Sequence, residues 1–105
     1  MASVSNIPVS ATLTAELSGT INKPDAWTHG KRVTVRVWSC FRSMGFKTDY
    51  QAIPVRYFEM RIEGERPKCQ QFSGARHGKP IELFNQWKRD LLPYMPDAVE
   101  VMSHG

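Results

Sequence analysis

A chain of 105 residues, 41% apolar and 10% aromatic, has the size and composition of one globular domain with its own core, which excludes an intrinsically disordered protein. No apolar run approaches the ~18 residues that a membrane span requires. The net charge of +4 is unevenly placed: residues 31–79 hold eleven Lys and Arg against four Asp and Glu, and the remainder holds three against six, the asymmetry of a polyanion binder or, more plainly, of an unevenly charged solvated surface.

The chain starts Met1-Ala2-Ser3-Val4-Ser5-Asn6, without the basic start and apolar stretch of a secretory signal. Residues 1–7 are read as a disordered tail, residues 8–103 as a single domain, and the expected setting is cytoplasmic and reducing, with Cys40 and Cys69 as free thiols. From Pro8 to Ile21, Val9, Ala11, Leu13, Ala15 and Leu17 alternate with Ser10, Thr12, Thr14, Glu16 and Ser18, the pattern of a half-buried strand. Gly19 falls on the inward parity, where a bend or bulge is expected. Asn22-Lys23-Pro24-Asp25 is a turn cluster.

A second strand is predicted from Lys31 to Phe41, with Val33, Val35 and Val37 inward and Arg32, Thr34, Arg36 and Trp38 on the other side. Two arginines and an indole on a solvent-facing row offer cations for phosphates and a flat ring for a base. The other reading has Trp38 covered by a further element, with the arginines stacked on it. Arg42 to Tyr50 reads as a loop that interleaves Arg42, Phe46, Lys47 and Tyr50, in the manner of a finger closing over a nucleic-acid strand. The third strand, Ile53 to Glu63, carries apolar residues on both parities, so a bulge is expected near Arg56-Tyr57. Pro54 places this region at an edge or an irregularity.

Gly64 to Pro67 is a turn, and Lys68 to Phe72 a short fourth strand. Ser73 to Lys79 is glycine-rich and basic but lacks the spacing of a phosphate-cradling loop. Leu83, Phe84, Trp87 and Leu91 then fall at helical spacing between Pro80 and Leu92. This amphipathic helix either plugs the sheet core or docks in a partner's groove. Ala98 to Met102 is a last short strand. The predicted architecture is mainly β with one C-terminal helix, a small five-stranded barrel of the OB kind.

No motif for catalysis is present, and an enzyme is not expected. No cofactor is implied, and His29, His77 and His104 lack the spacing of a metal site. Glu59 and Glu63 alternate with Arg61 as a surface ion-pair ladder would. At Leu17-Ser18-Gly19-Thr20-Ile21-Asn22-Lys23-Pro24 the chain resembles the opening strand of bacterial single-stranded DNA-binding proteins and the related primosomal replication proteins, which begin with Leu-x-Gly-x-Val/Ile followed shortly by Pro. The resemblance covers about the first 40 residues. It implies single-stranded DNA binding in replication, by a homodimer or larger oligomer. The later Gly-x-x-Val/Ile-x-Val-x-Gly strand is missing, and Ser103-His104-Gly105 carries no acidic tip, so the resemblance is to a compact, tail-less relative of phage or plasmid origin.

The expected partner is therefore single-stranded nucleic acid, contacted by Arg32, Arg36, Arg42, Lys47, Arg56 and Arg61 at phosphates and by Trp38, Phe46 and Tyr57 at bases. The alternative is a small phage or plasmid accessory protein whose basic surface docks on a host or replication protein. Both readings assume that the even-numbered side chains from position 32 to 38 face water.

Overall fold

A computed structural model describes residues 7–44 and 51–102. Residues 1–6 of the expected tail lie outside the described residues. Five strands, β1 (Thr12–Thr20), β2 (Arg32–Met44), β3 (Gln51–Ile62), β4 (Lys68–Ser73) and β5 (Val99–Met102), form one sheet in the order β4-β3-β2-β1-β5, every neighbour antiparallel. The helix α1 (Lys79–Leu91) packs across β2 and β3. Pro80 starts it without sacrificing an intrahelical hydrogen bond, and Glu82 in the first turn with Lys88 and Arg89 in the last complement its dipole.

Strand periodicity sends Ala15, Leu17, Val33, Val35, Val37, Phe58 and Met60 to one side of the sheet. There they meet Phe84 and Met95, with Ile81, Leu83 and Leu91 around the margin. Leu83, Phe84 and Leu91 of the predicted stripe thus cover the core, but Trp87 does not and stays exposed; the helix runs one residue earlier in the chain than the expected 80–92.

The sheet is open, and this corrects the expected barrel. β3 is paired to β2 and β4, β1 to β2 and β5, and no ladder joins β4 to β5 among the described residues. Closure requires the first strand to bend sharply, yet Gly19 stays in register opposite Val33. The apolar side is sealed by the helix, not by curling the sheet on itself. Gly19 serves close approach: a Cβ there would lie 3.1 Å from Asp97 Oδ1, 3.2 Å from Ala98 Cα and 3.2 Å from Met95 Sδ. The break in β1 falls instead between Leu13 and Ala15.

The bulge expected near Arg56-Tyr57 is also absent. β2 and β3 pair without a shift from Val33↔Ile62 to Met44↔Gln51. Both parities of β3 are buried because both faces of that strand are covered, Phe58 and Met60 by the helix side and Val55, Tyr57 and Glu59 by flanking side chains on the other. Pro54 does sit at an edge, one residue beyond the last β4 pair at Val55↔Ser73. β2 continues to Met44, into what was read as loop, and residues 45–50 lie outside the described residues.

Candidate nucleic-acid interface

The alternation that buries the valines of β2 turns Arg32, Thr34, Arg36, Trp38, Cys40 and Arg42 away from α1. Across the ladder, Arg36 stands between Glu16 and Glu59, Thr34 between Ser18 and Arg61, and Trp38 between Leu13 and Tyr57. No element of the described residues lies over this face. The assumption that positions 32 to 38 face outward therefore holds for the backbone, and Arg32 is exposed while Arg36 and Trp38 are half-buried.

A buried carboxylate organises the centre of the face. Glu59 is 2% exposed. Its Oε1 accepts a hydrogen bond from Trp38 Nε1–H at 3.1 Å and lies 3.6 Å from an Arg36 terminal nitrogen, and its Oε2 accepts from Arg61 Nε–H at 2.9 Å. Arg36 also donates through Nε to Glu16. A carboxylate so shielded is tolerated because two cations and an indole N–H satisfy it. The expected Glu59–Arg61 pair thus exists, but as part of a network that fixes the Trp38 ring by its N–H edge. Glu63 instead accepts the backbone N–H of Arg32 at 3.1 Å.

Tyr57, directly across from Trp38, is 4% exposed. Burial, with a smaller contribution from Cys40, pushes its phenol above the ordinary 10.0, while the hydrogen-bonding guanidinium of Arg42 pulls it part of the way back. A ring so enclosed supports Trp38 from the side and offers no free face for stacking. Among the described residues the Arg32 side chain forms one hydrogen bond, to Ser18 Oγ at 3.3 Å.

Of the nine residues expected in the site, Arg32, Arg36, Trp38, Arg42, Tyr57 and Arg61 share this open face. Arg56 does not: it pairs with Ser39 and Phe72 on the helix side. Phe46 and Lys47 lie outside the described residues. The two most exposed aromatics among the described residues are absent from the expected site. Phe41 is 73% exposed at the outer end of β2, and Trp27, 65% exposed, carries Lys31 Nζ 5.2 Å from its ring centroid. The signal for Phe41 was available, because polar Ser39 already takes the inward row out of the core.

The class of molecule is thus an open antiparallel sheet with one helix-covered apolar face and one uncovered face built on a Trp–Glu–Arg network. Compared with known proteins, the chain matches no family model, no curated protein and no solved structure. Among the described residues no His, Cys, Asp and Glu cluster is arranged to hold a metal ion.

Proposed function

We propose that this chain binds single-stranded nucleic acid, DNA in the first instance, through the open face and without sequence specificity. The observation that carries the reading is Trp38, a half-buried indole locked by Glu59 on an uncovered sheet and set among four arginines. A fixed ring stacks any base, and base–aromatic stacking is worth about 1–3 kcal/mol. Arg32 and Arg42, which form no ion pair with a carboxylate among the described residues, are the phosphate contacts; Arg36 and Arg61 share their charge with Glu16 and Glu59.

Titration with oligo-dT at two salt concentrations tests this. Trp38→Ala weakens binding at least ~10-fold, and each of Arg32→Gln and Arg42→Gln flattens the log–log salt dependence by about 0.7. Unchanged affinity on loss of the indole removes Trp38 from the site. A second reading, contact with a host protein, draws on Val99 and Val101, which stand 56% and 48% exposed beside Glu16 and Ser18 on the same face. Absence of any oligonucleotide binding at low salt favours it.

A further inference from the structure

Arg56 is the expected site residue that the fold sends elsewhere, and its surroundings form a site of their own. Ahead of the N-terminal end of α1, at the Phe41–Pro54 end of the β2–β3 ladder, lies a cleft of about 660 Å³ whose walls include Thr14, Ser39, Phe41, Pro54, Arg56 and His77. That volume lies within the range of small-ligand pockets. Arg56 donates through Nε to Ser39 Oγ at 3.3 Å and through a terminal nitrogen to the His77 carbonyl at 3.3 Å. Both acceptors are neutral, and no carboxylate lies within ion-pair distance of Arg56 among the described residues. Among the described residues these are the two side-chain hydrogen bonds of Arg56, and they hold a guanidinium that has five N–H groups.

Such a fork suits the oxygens of a phosphate, and the fixed side chain loses little freedom on binding. Phe41 supplies the complementary half: an aromatic ring, mostly in water, that core packing does not account for. The imidazole of His77 donates Nδ1–H to the Gly74 carbonyl at 2.8 Å, which fixes the ring beside the cleft. Ser39 Oγ and Thr14 Oγ1 are hydrogen-bonded to each other at 2.8 Å, so the floor is polar and satisfied.

We infer that this cleft binds a nucleoside monophosphate unit, its phosphate on Arg56 and its base on Phe41. The unit is either a free nucleotide or one residue of the strand held on the open face, and the second source rests on the function proposed above. The sheet narrows towards this end, since β5 pairs only with Ala15–Ser18 and β4 stops opposite Val55, so a strand leaving Trp38 can turn around the edge into the cleft.

Heteronuclear NMR titration of the labelled chain with thymidine 5′-monophosphate, and separately with oligo-dT of about eight nucleotides, tests both. With the mononucleotide, the Arg56 Nε–H and the amides of Ser39, Phe41 and His77 shift while Trp38 Nε1–H does not. Arg56→Gln abolishes these shifts, and Phe41→Ser, at an exposed position that leaves the fold intact, weakens them at least ~5-fold. Oligo-dT that moves Trp38 Nε1–H but binds Phe41→Ser and Arg56→Gln as tightly as the parent, with no cleft shift from the mononucleotide, overturns the cleft and leaves the open face standing. Cleft shifts from the mononucleotide without oligo-dT binding support the cleft, identify a free nucleotide as the ligand and overturn the open-face reading.

Discussion

On the helix side of β2, Val33, Val35 and Val37 are 3%, 0% and 0% exposed. On the opposite side, their neighbours Arg32, Thr34, Arg36 and Trp38 all keep part of their surface in water. Burial on the first side is made by a covering element, α1, and is apolar. Where the second side reaches comparable burial, at Tyr57 and Glu59, it does so laterally, by long side chains from adjacent strands and by hydrogen bonds. The first kind of burial stabilises the fold in proportion to apolar area removed from water. The second contributes less to stability and more to the placement of particular groups.

Deleting one large side chain from each face separates the two kinds of burial most directly. Phe84→Ala removes a ring that is 1% exposed at the centre of the core and is expected to destabilise the chain by about 3–5 kcal/mol. Trp38→Ala, on the half-covered side, is expected to lower stability by no more than about 2 kcal/mol while abolishing most oligonucleotide affinity. Urea denaturation of both variants measures this, and equal losses would erase the distinction between the faces.

Glu59→Gln sharpens it next. The amide keeps the shape but leaves Arg36 and Arg61 without their shared carboxylate. Both arginine side chains are partly in water, at 29% and 48% exposure, so the expected loss is about 1–2 kcal/mol and not the larger figure for a fully buried pair. Binding to oligo-dT is expected to move the other way, tightening with a steeper salt dependence as the Arg61 guanidinium becomes available to phosphate, while Arg36 keeps its pair with Glu16. A variant less stable and also weaker in binding would show that Glu59 acts by holding Trp38 and not by restraining charge.

On the helix side, Gly19→Ala tests close approach. The new methyl meets Asp97, Ala98 and Met95 at 3.1–3.2 Å, and a loss of about 1 kcal/mol is expected from the displaced 95–98 segment. If Gly19 were a bend, thermal unfolding of the alanine variant would show a larger loss from the altered backbone.

How much of this was legible depends on which interaction decided each feature. The valine alternation of β2 and the 3.6-residue period of α1 are local signals, so the strands, the helix and the outward row at 32–38 could be read directly. The open sheet could not, because closure depends on whether β1 bends, and Gly19 is compatible with either a bend or a close neighbour. The apolar residues on both parities of β3 imitate a register change because lateral burial by Arg and Trp side chains leaves no periodic trace. Arg56 was assigned to the open face for the same reason: without the expected bulge, its parity places it with Phe58 and Met60.

β5 is the shortest strand of the sheet, with all four of its residues exposed and β1 as its one ladder partner among the described residues. Asp97, just ahead of β5, accepts the backbone N–H of Thr20 through Oδ1 at 2.7 Å. That hydrogen bond holds its carboxyl below the ordinary value of 3.8, with the charge of Arg32 a lesser influence. A folded-state value below the unfolded one means that the unfolded chain binds more protons in this range, so stability rises with pH across it. The contribution is fully present above 3.8 and disappears as pH falls through the depressed folded value. Asp97→Asn is therefore expected to flatten the acid side of the stability profile below about pH 5. The effect should be the smallest of the four, because the carboxyl is exposed and screened by solvent. Parallel acid limbs in urea midpoints of the parent and the variant would show that the Asp97 carboxylate adds nothing to the β1 ladder and the Lys88–Glu100 ion pair in holding β5.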